Sequence, residues 1–267
     1  MLETLSLPYV QRGLLEVVLL SVGAGLIGTW IVLRGLAFYS HAVGTAAFPG
    51  LVLADGLGFA GPLGALAAAA VFAVALFAIS RSSSRDSGEQ GGEIALVLVG
   101  MLALGVILAS DVFHTTTGVE TLLVGSLLLI DPGDVAIAAA ITTIAIVTSR
   151  ALGKRWVAVG FDAAAGSTPR ARALDFSLLV IVAFATAAAL SALGALLVAS
   201  LFVVPAACTR PWFKTLRAWQ VATVVLTAGL GCAGVIVSVQ FNAPPGPMIA
   251  VLGGGAFVLS AVGLWLR

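Results

Sequence analysis

The feature that most constrains this chain is a series of apolar segments that are long enough to cross a bilayer and almost free of charge. They fall near residues 13–33, 41–60, 62–80, 92–110, 135–149, 174–192, 195–209, 218–240 and 246–266. A helix needs about 20 apolar residues to span the hydrocarbon core. Because only 9% of the 267 residues are charged, against about 25% in soluble domains, we predict an all-α, polytopic membrane helix bundle of about eight to ten transmembrane helices.

The charged residues are unevenly distributed along the chain. Lys and Arg cluster in residues 81–85, 150–172 and 210–217, whereas residues 111–134 hold acidic side chains and no Lys or Arg. The positive-inside rule therefore places residues 82–90 and 154–173 in the cytoplasm and residues 114–134 outside. The N-terminus is expected outside and the C-terminus inside. A net charge of +1 predicts no nucleic-acid partner.

Between Arg34 and Arg81 the sequence contains one histidine, His41, and one acidic residue, Asp55, and no Lys or Arg. An ionisable side chain is costly in lipid and usually faces a bundle interior or a transport pathway. On one continuous helix these two residues would lie within about 40° of one face and roughly 21 Å apart. They could therefore mark two stations on one path. The alternatives are a histidine with an ordinary hydrogen bond and an aspartate at a helix end.

Several other polar residues have simpler interpretations. Glu16 follows Arg12 by four positions, which predicts an ion pair at a helix end. Cys208 and Cys232 lack a CxxC spacing and are expected to be small buried residues. His114, in the acidic segment, belongs either to an entrance for cations or to a solvated loop.

The longest interior connection is predicted over residues 150–173. It contains Phe161 and Asp162, and then Thr168 followed by Pro169, a pattern typical of a helix start. This segment is either a simple connector or a docking element for a cytoplasmic partner.

Several stretches together resemble the membrane (permease) subunits of bacterial ABC transporters for zinc and manganese. Residues 28–34 read GTWIVLR, and residues 244–246 read PPG at the start of the last apolar segment. The most specific match is GALLV at 194–198 followed by LFVVPAA at 201–207. In their order and spacing, these stretches cover nearly the whole chain.

The resemblance implies one transmembrane permease domain over residues 1–267, located in the bacterial plasma membrane. It also implies three partners: an ABC ATPase subunit, an extracytoplasmic metal-binding protein and a second copy of the permease. The sequence lacks GxxxxGK[ST], the loop that cradles nucleotide phosphates, so ATP hydrolysis is expected of a partner chain and not of this one. Phe161 and Asp162 resemble the family's interior Phe-Asp-Pro-Glu loop, which implies that they couple the permease to the ATPase.

The resemblance also implies a metal pathway with altered ligands. The family motif reads GDALSHAVLPG, whereas residues 40–50 here read SHAVGTAAFPG. An ungapped alignment places His41 at the family's Asp position and Thr45 at its His position, and Asp55 could supply the missing carboxylate. A surviving imidazole favours zinc as the transported ion, with no permanently bound cofactor. The alternatives are a manganese or iron permease and a secondary transporter that needs no ATPase.

Overall fold

The computed structural model describes residues 8–80, 89–113, 132–161 and 168–266, and the regular elements in these ranges are all helical. In chain order they are α1 (Pro8–Arg34), α2 (Ala37–Ala46), α3 (Phe48–Leu57), α4 (Gly61–Ser80), α5 (Glu89–Ile107), α6 (Pro132–Phe161), α7 (Pro169–Leu193), α8 (Ala195–Thr209), α9 (Leu216–Phe241) and α10 (Pro245–Trp265). A π-helical turn, Leu108–Val112, extends α5, and a 3-10 turn, Arg210–Trp212, follows α8. The all-α prediction is confirmed.

The number of apolar helices agrees with the predicted eight to ten. Within the described ranges, eight spans are long and apolar enough to cross a membrane when α2 and α3 are counted together as Ala37–Leu57. Helix α8 adds a shorter apolar helix of 15 residues. It is separated from α7 by Gly194, whose φ of +79° lies in the left-handed region that favours glycine. The predicted short stretch at residues 121–130 lies outside the described residues.

Helix α1 is the centre of the bundle and packs against α6, α8 and α9. Trp30 on α1 is buried and meets Trp156 of α6 edge to face, with 5.3 Å between the ring centroids. The Trp30 indole donates to Ser149 Oγ at 2.9 Å, and the Trp156 indole donates to the Leu174 carbonyl at 3.1 Å. Each buried indole N–H thus has an acceptor, as an apolar interior requires. These contacts fix α1 against α6 and α7.

Most basic residues on the described helices lie at one end of the bundle, and three aspartates lie at the other. Helices α1 and α6 run in the same direction, because Thr142 Oγ1 donates to the Leu19 carbonyl and Arg34 donates to the Trp156 carbonyl. The Arg34 end therefore carries the basic tail of α6. The opposite end carries the acidic residues Asp55, Asp111 and Asp134. This segregation agrees with the predicted sidedness, in which the basic end is cytoplasmic.

The predicted connection at residues 150–173 is wrong in its first half, because α6 continues as a helix to Phe161. This helix of 30 residues is about 45 Å long and exceeds a hydrocarbon core of about 30 Å. Ala, Leu, Lys and Arg are good helix formers, so the helix persists after its apolar portion ends. Charge marks where the segment leaves the lipid, but it does not mark where the helix stops.

Candidate functional site

The segment that carries the predicted ligands is a broken helix. Helix α2 ends at Ala46, Ala47 forms a turn, and α3 begins at Phe48 with Pro49 in its first turn. Pro49 has no N–H to donate to the carbonyl four residues earlier, so an unbroken helix would lose a hydrogen bond here. Proline is well tolerated in a first helical turn, and the chain therefore restarts the helix at this position. The assumption of one continuous helix from His41 to Asp55 is wrong.

One side of α2 is only partly covered by the rest of the protein. Phe38 is 46% exposed, while His41, Thr45 and Phe48 are half-buried. These four residues, at helical spacing, form what we call the His41 stripe. Thr45 Oγ1 donates to the His41 carbonyl at 3.1 Å, which leaves the hydroxyl lone pairs free to act as an acceptor. The stripe therefore offers an imidazole and a neutral oxygen about one helical turn apart.

The other side of α2 is fixed to the core. Tyr39 is 1% exposed, donates its hydroxyl to the Leu179 carbonyl of α7 at 3.0 Å, and packs on Phe72 of α4 with ring centroids 5.8 Å apart. Ser40, Ala42 and Val43 are also buried. The buried side holds the helix in one rotation about its axis, and this rotation leaves Phe38, His41 and Thr45 on the partly exposed side.

Helix α3 crosses α4 where two glycines meet. A Cβ placed on Gly50 would overlap the Gly64 carbonyl oxygen, and a Cβ on Gly64 would overlap the Gly50 carbonyl oxygen. The two backbones therefore touch directly, as they do at the small-residue contacts of membrane helices. This crossing lies one residue after Pro49, so it sets the direction that α3 takes after the break.

Asp55 is exposed near the C-terminal end of α3. The next residue, Gly56, packs directly against the Phe113 ring, which follows the π-helical turn containing Asp111. Asp55 thus lies at the acidic end of the bundle, whereas His41 lies in the second turn of α2 from the basic end. No group of three or more His, Cys, Asp and Glu side chains occurs among the described residues. Within those residues, one copy of the chain does not assemble a complete metal shell from these groups.

The predicted coupling residues lie at the end of α6. Phe161 is its last residue and is 70% exposed, while Asp162 lies outside the described residues. Helix α7 then begins as predicted, because the Thr168 side chain accepts the Ala171 N–H at 3.2 Å and Pro169 occupies the first turn. A large apolar side chain is therefore presented at the basic end of the bundle.

An ion pair that the sequence did not reveal lies at this end of the bundle, next to the start of α2. Arg34 Nη2 lies 2.6 Å from Asp175 Oδ1, and Arg34 Nη1 donates to the Trp156 carbonyl at 3.0 Å. Arg34 therefore ties the end of α1 to the end of α6 and to the start of α7. Gly35, with a φ of +67°, follows it and leads into α2. The sequence contained only a weak indication of this pair. Arg34 and Asp175 are each an isolated charge beside an apolar run, and 141 positions separate them.

The comparisons with known proteins place this architecture in a family. The model of the ABC 3 transport family matches residues 6–263. The chain belongs to this family. The manganese import system permease protein ScaB of Streptococcus gordonii is 24% identical over 254 residues, which cover 94% of this chain and 90% of that protein.

Another relative and a solved structure agree with this assignment. The manganese transport system membrane protein MntC of Halalkalibacterium halodurans is 24% identical over 261 residues, which cover 97% of this chain and 88% of that protein. The structure titled PsaBC from Streptococcus pneumoniae in complex with Fab shares the fold, with a TM-score of 0.83, 22% identity and coverage of 97% of this chain and 93% of that one.

Family membership confirms the predicted class of protein. The chain is a multi-pass permease of an ABC transporter in the bacterial plasma membrane. Its apolar segments form the helices that are long enough to cross the membrane. None of the comparisons tests the predicted ligands His41, Thr45 and Asp55 or the coupling residues Phe161 and Asp162, so these assignments stay predictions.

Proposed function

We propose that this permease imports a divalent transition-metal ion and that the His41 stripe lines its path. One observation carries the proposal: His41, the one histidine among the described residues, lies on the partly exposed side of a broken helix in an ABC 3 family chain. Interrupted helices bring polar groups to ion paths in membrane transporters. Relatives whose names refer to manganese import or transport support a metal as the substrate.

The stripe fits a metal best when two copies of the chain face each other. One copy supplies the His41 imidazole and the Thr45 hydroxyl, whereas a zinc shell usually has four ligands. A twofold pair would bring two of each to a common path, and the exposed Phe38 ring would lie in the same interface. In a cysteine-free background, Phe38→Cys should form an intermolecular disulfide. Absence of that cross-link in an active transporter would contradict the pairing.

Two metals, zinc and manganese, are candidates for the transported ion. The imidazole favours zinc, as the sequence alone predicted, whereas the names of the relatives favour manganese. Zinc binds nitrogen ligands more tightly than manganese does, and manganese prefers carboxylate and other oxygen ligands. We take zinc as the first candidate because the stripe contains no carboxylate, and manganese as the second because of the relatives.

A separate ATPase subunit would provide the energy, and an extracytoplasmic binding protein would deliver the ion. We expect Phe161 to insert into a cleft of the ATPase, because exposed aromatic side chains commonly anchor interfaces, and Asp162 to lie at the same contact. Movement of Phe161 would reach α2 through the end of α6, the Arg34 contacts and Gly35.

Reconstituted uptake provides the main test of this function. The permease is placed in proteoliposomes with its ATPase and binding protein, and uptake of zinc and of manganese is measured separately. His41→Ala should abolish uptake, and Thr45→Val should reduce it less, because a hydroxyl contributes little to a zinc shell. His114→Ala removes the other histidine of the chain. Parental uptake in this variant would favour the solvated loop for His114, and reduced uptake would favour an entrance for cations.

Two outcomes would redirect the proposal. If His41→Ala imports both metals at the parental rate, the stripe is not the path, although the permease assignment would stand. If uptake proceeds equally well without the ATPase, the proposed coupling of import to ATP hydrolysis is wrong. Asp55→Asn should lower uptake partially if Asp55 is a second station, and should leave it unchanged if Asp55 is only a helix-end residue.

A further inference from the structure

Glu16 on α1 is a buried carboxylate without a partner. Its side chain is 0% exposed, and neither Oε1 nor Oε2 has a hydrogen-bond partner. It is the one Asp, Glu, Lys or Arg among the buried residues that the structure describes. The ion pair with Arg12 expected from the sequence does not form, because the Arg12 side chain points outward and is exposed.

Toward the middle of α1, the face that carries Glu16 continues with apolar residues. Glu16 precedes Leu20 by four residues and Gly23 by seven, so these residues share one face of α1. Gly23 packs against Thr142 of α6, and the same face borders a small cavity that is also lined by Ala138. Glu16 therefore lies in the seam between α1 and α6, one turn nearer the acidic end than this cavity.

Apart from Arg12, which is exposed to solvent, the part of the chain that the structure describes brings no positive charge to this seam. Asp134 lies in the first turn of α6, one turn before Ala138, and its negative charge disfavours a second one on Glu16. On α9, Cys232 follows Gly231, which packs on Val17. The other titratable or charged groups on the described helices packed against α1 lie toward the Arg34 end. They are Tyr39 and His41 on α2, Arg150, Lys154 and Arg155 on α6, Arg170, Arg172 and Asp175 on α7, Cys208 on α8, and Arg217 on α9.

The geometry favours a proton over a metal ion as the positive charge that Glu16 binds. A divalent ion needs at least four ligand atoms, and no group of three metal-binding side chains exists among the described residues. A proton needs only the carboxylate itself. A carboxylate that is buried away from water without hydrogen bonds or a partner is strongly disfavoured in its charged form.

We propose that Glu16 is a proton-binding site and that its neutral, protonated form holds the seam between α1 and α6 together. Ionisation would place a second negative charge near Asp134 in an apolar seam, and the repulsion would push α1 away from α6. Because α1 ends at Arg34, which fixes the basic end of the bundle, separation of the seam would also disturb that end. This inference does not depend on which ion the permease transports.

Infrared spectroscopy of the purified full chain in lipid nanodiscs tests the protonation directly. At neutral pH the parent should show the carbonyl stretching band of a protonated carboxylic acid, and Glu16→Gln should lack it. Glu93→Gln on α5, which removes a carboxylate from a helix that is mostly exposed, should retain the band and serves as the matched control. If Glu16→Gln fails to fold, Glu16→Asp can be used to assign the carbonyl band to residue 16, because this variant should shift the band without removing it.

Stability across pH tests the role in packing. The unfolding temperature of the parent should fall as the pH rises from the ordinary carboxyl range through neutrality, because only the folded chain keeps Glu16 protonated there. Glu16→Gln should lose this decline because its amide cannot ionise. Absence of the acid band from the parent at neutral pH would overturn the proposal. A second result would also overturn it: added zinc, manganese or sodium raises the unfolding temperature of the parent but not that of Glu16→Gln. A metal cation, and not a proton, would then occupy the site.

Discussion

Replacing Arg34 with alanine should weaken both the fold and the coupling of transport to ATP hydrolysis. Arg34 makes a 2.6 Å ion pair with Asp175 and a 3.0 Å hydrogen bond to the Trp156 carbonyl. The substitution removes both contacts at once and releases the end of α1 from α6 and α7. It also releases the segment that leads through Gly35 into the His41 stripe.

The size of the effect follows from the exposure of the two side chains. Arg34 is 17% exposed and Asp175 is 32% exposed, so the pair is intermediate between a surface pair, worth about 0–1 kcal/mol, and a buried pair, whose disruption costs about 3–5 kcal/mol. We therefore expect Arg34→Ala to cost about 2 kcal/mol of stability. Asp175→Ala should cost about 1 kcal/mol, because the bond from Arg34 to the Trp156 carbonyl survives.

A double-mutant cycle in detergent, read by unfolding, measures the interaction between these two residues. The double variant should be no less stable than Arg34→Ala alone, because the first substitution already removes the pair. Arg150→Ala, which removes an exposed arginine of α6, is the control and should change stability by less than about 0.5 kcal/mol.

Coupling is measured as metal ions imported per ATP hydrolysed in proteoliposomes. Arg34→Ala should lower this ratio by about tenfold, which lies within the usual range of coupling energies between sites, while ATP hydrolysis continues. If the ratio stays at the parental value although stability falls as expected, Arg34 has only a structural role and the proposed route from Phe161 to α2 is wrong.

The remaining predictions concern packing, capping and metal preference. Gly50→Ala should destabilise the protein by about 1–3 kcal/mol through overlap with α4, whereas Gly254→Ala, whose Cβ would meet no atom within 4 Å, should be nearly neutral in the same unfolding assay. Thr168→Ala should cost about 1 kcal/mol by removing the cap of α7, and unchanged stability would contradict that role. His41→Asp combined with Thr45→His should retain uptake and shift the zinc-to-manganese ratio toward manganese, and an unchanged ratio would argue against metal contact at the stripe.

Local patterns predicted much of the fold because membrane helices obey strong local rules. Runs of apolar residues gave the helices and their approximate bounds, and Thr168 with Pro169 correctly marked the start of α7. The end of α6 was missed because a helix continues past the lipid for as long as its residues favour helix, as it does up to Phe161. The break between His41 and Asp55 was missed because Pro49 can be read either as an interruption or as part of a first turn.

Local sequence predicted which residues are candidate ligands, but it did not predict where all of them lie in the bundle. Matching residues 40–50 to the family motif selected His41 and Thr45, and the structure places both on one partly exposed stripe. That Asp55 lies at the opposite end of the bundle depends on where the helix breaks and on how α3 crosses α4. The contact between Gly56 and Phe113 also joins distant parts of the chain, so no local pattern could reveal it.

The sequence by itself determined that this protein spans the membrane, that it is built of helices, and which of its ends carries the basic residues. These properties follow from hydrophobicity and charge, which each segment expresses independently of its neighbours. Only the tertiary structure decided that Arg34 pairs with Asp175, 141 positions away, and that Glu16 faces the interior while Arg12 reaches outward. Burial and pairing depend on how helices rotate and cross, and packing among all the helices together fixes those rotations.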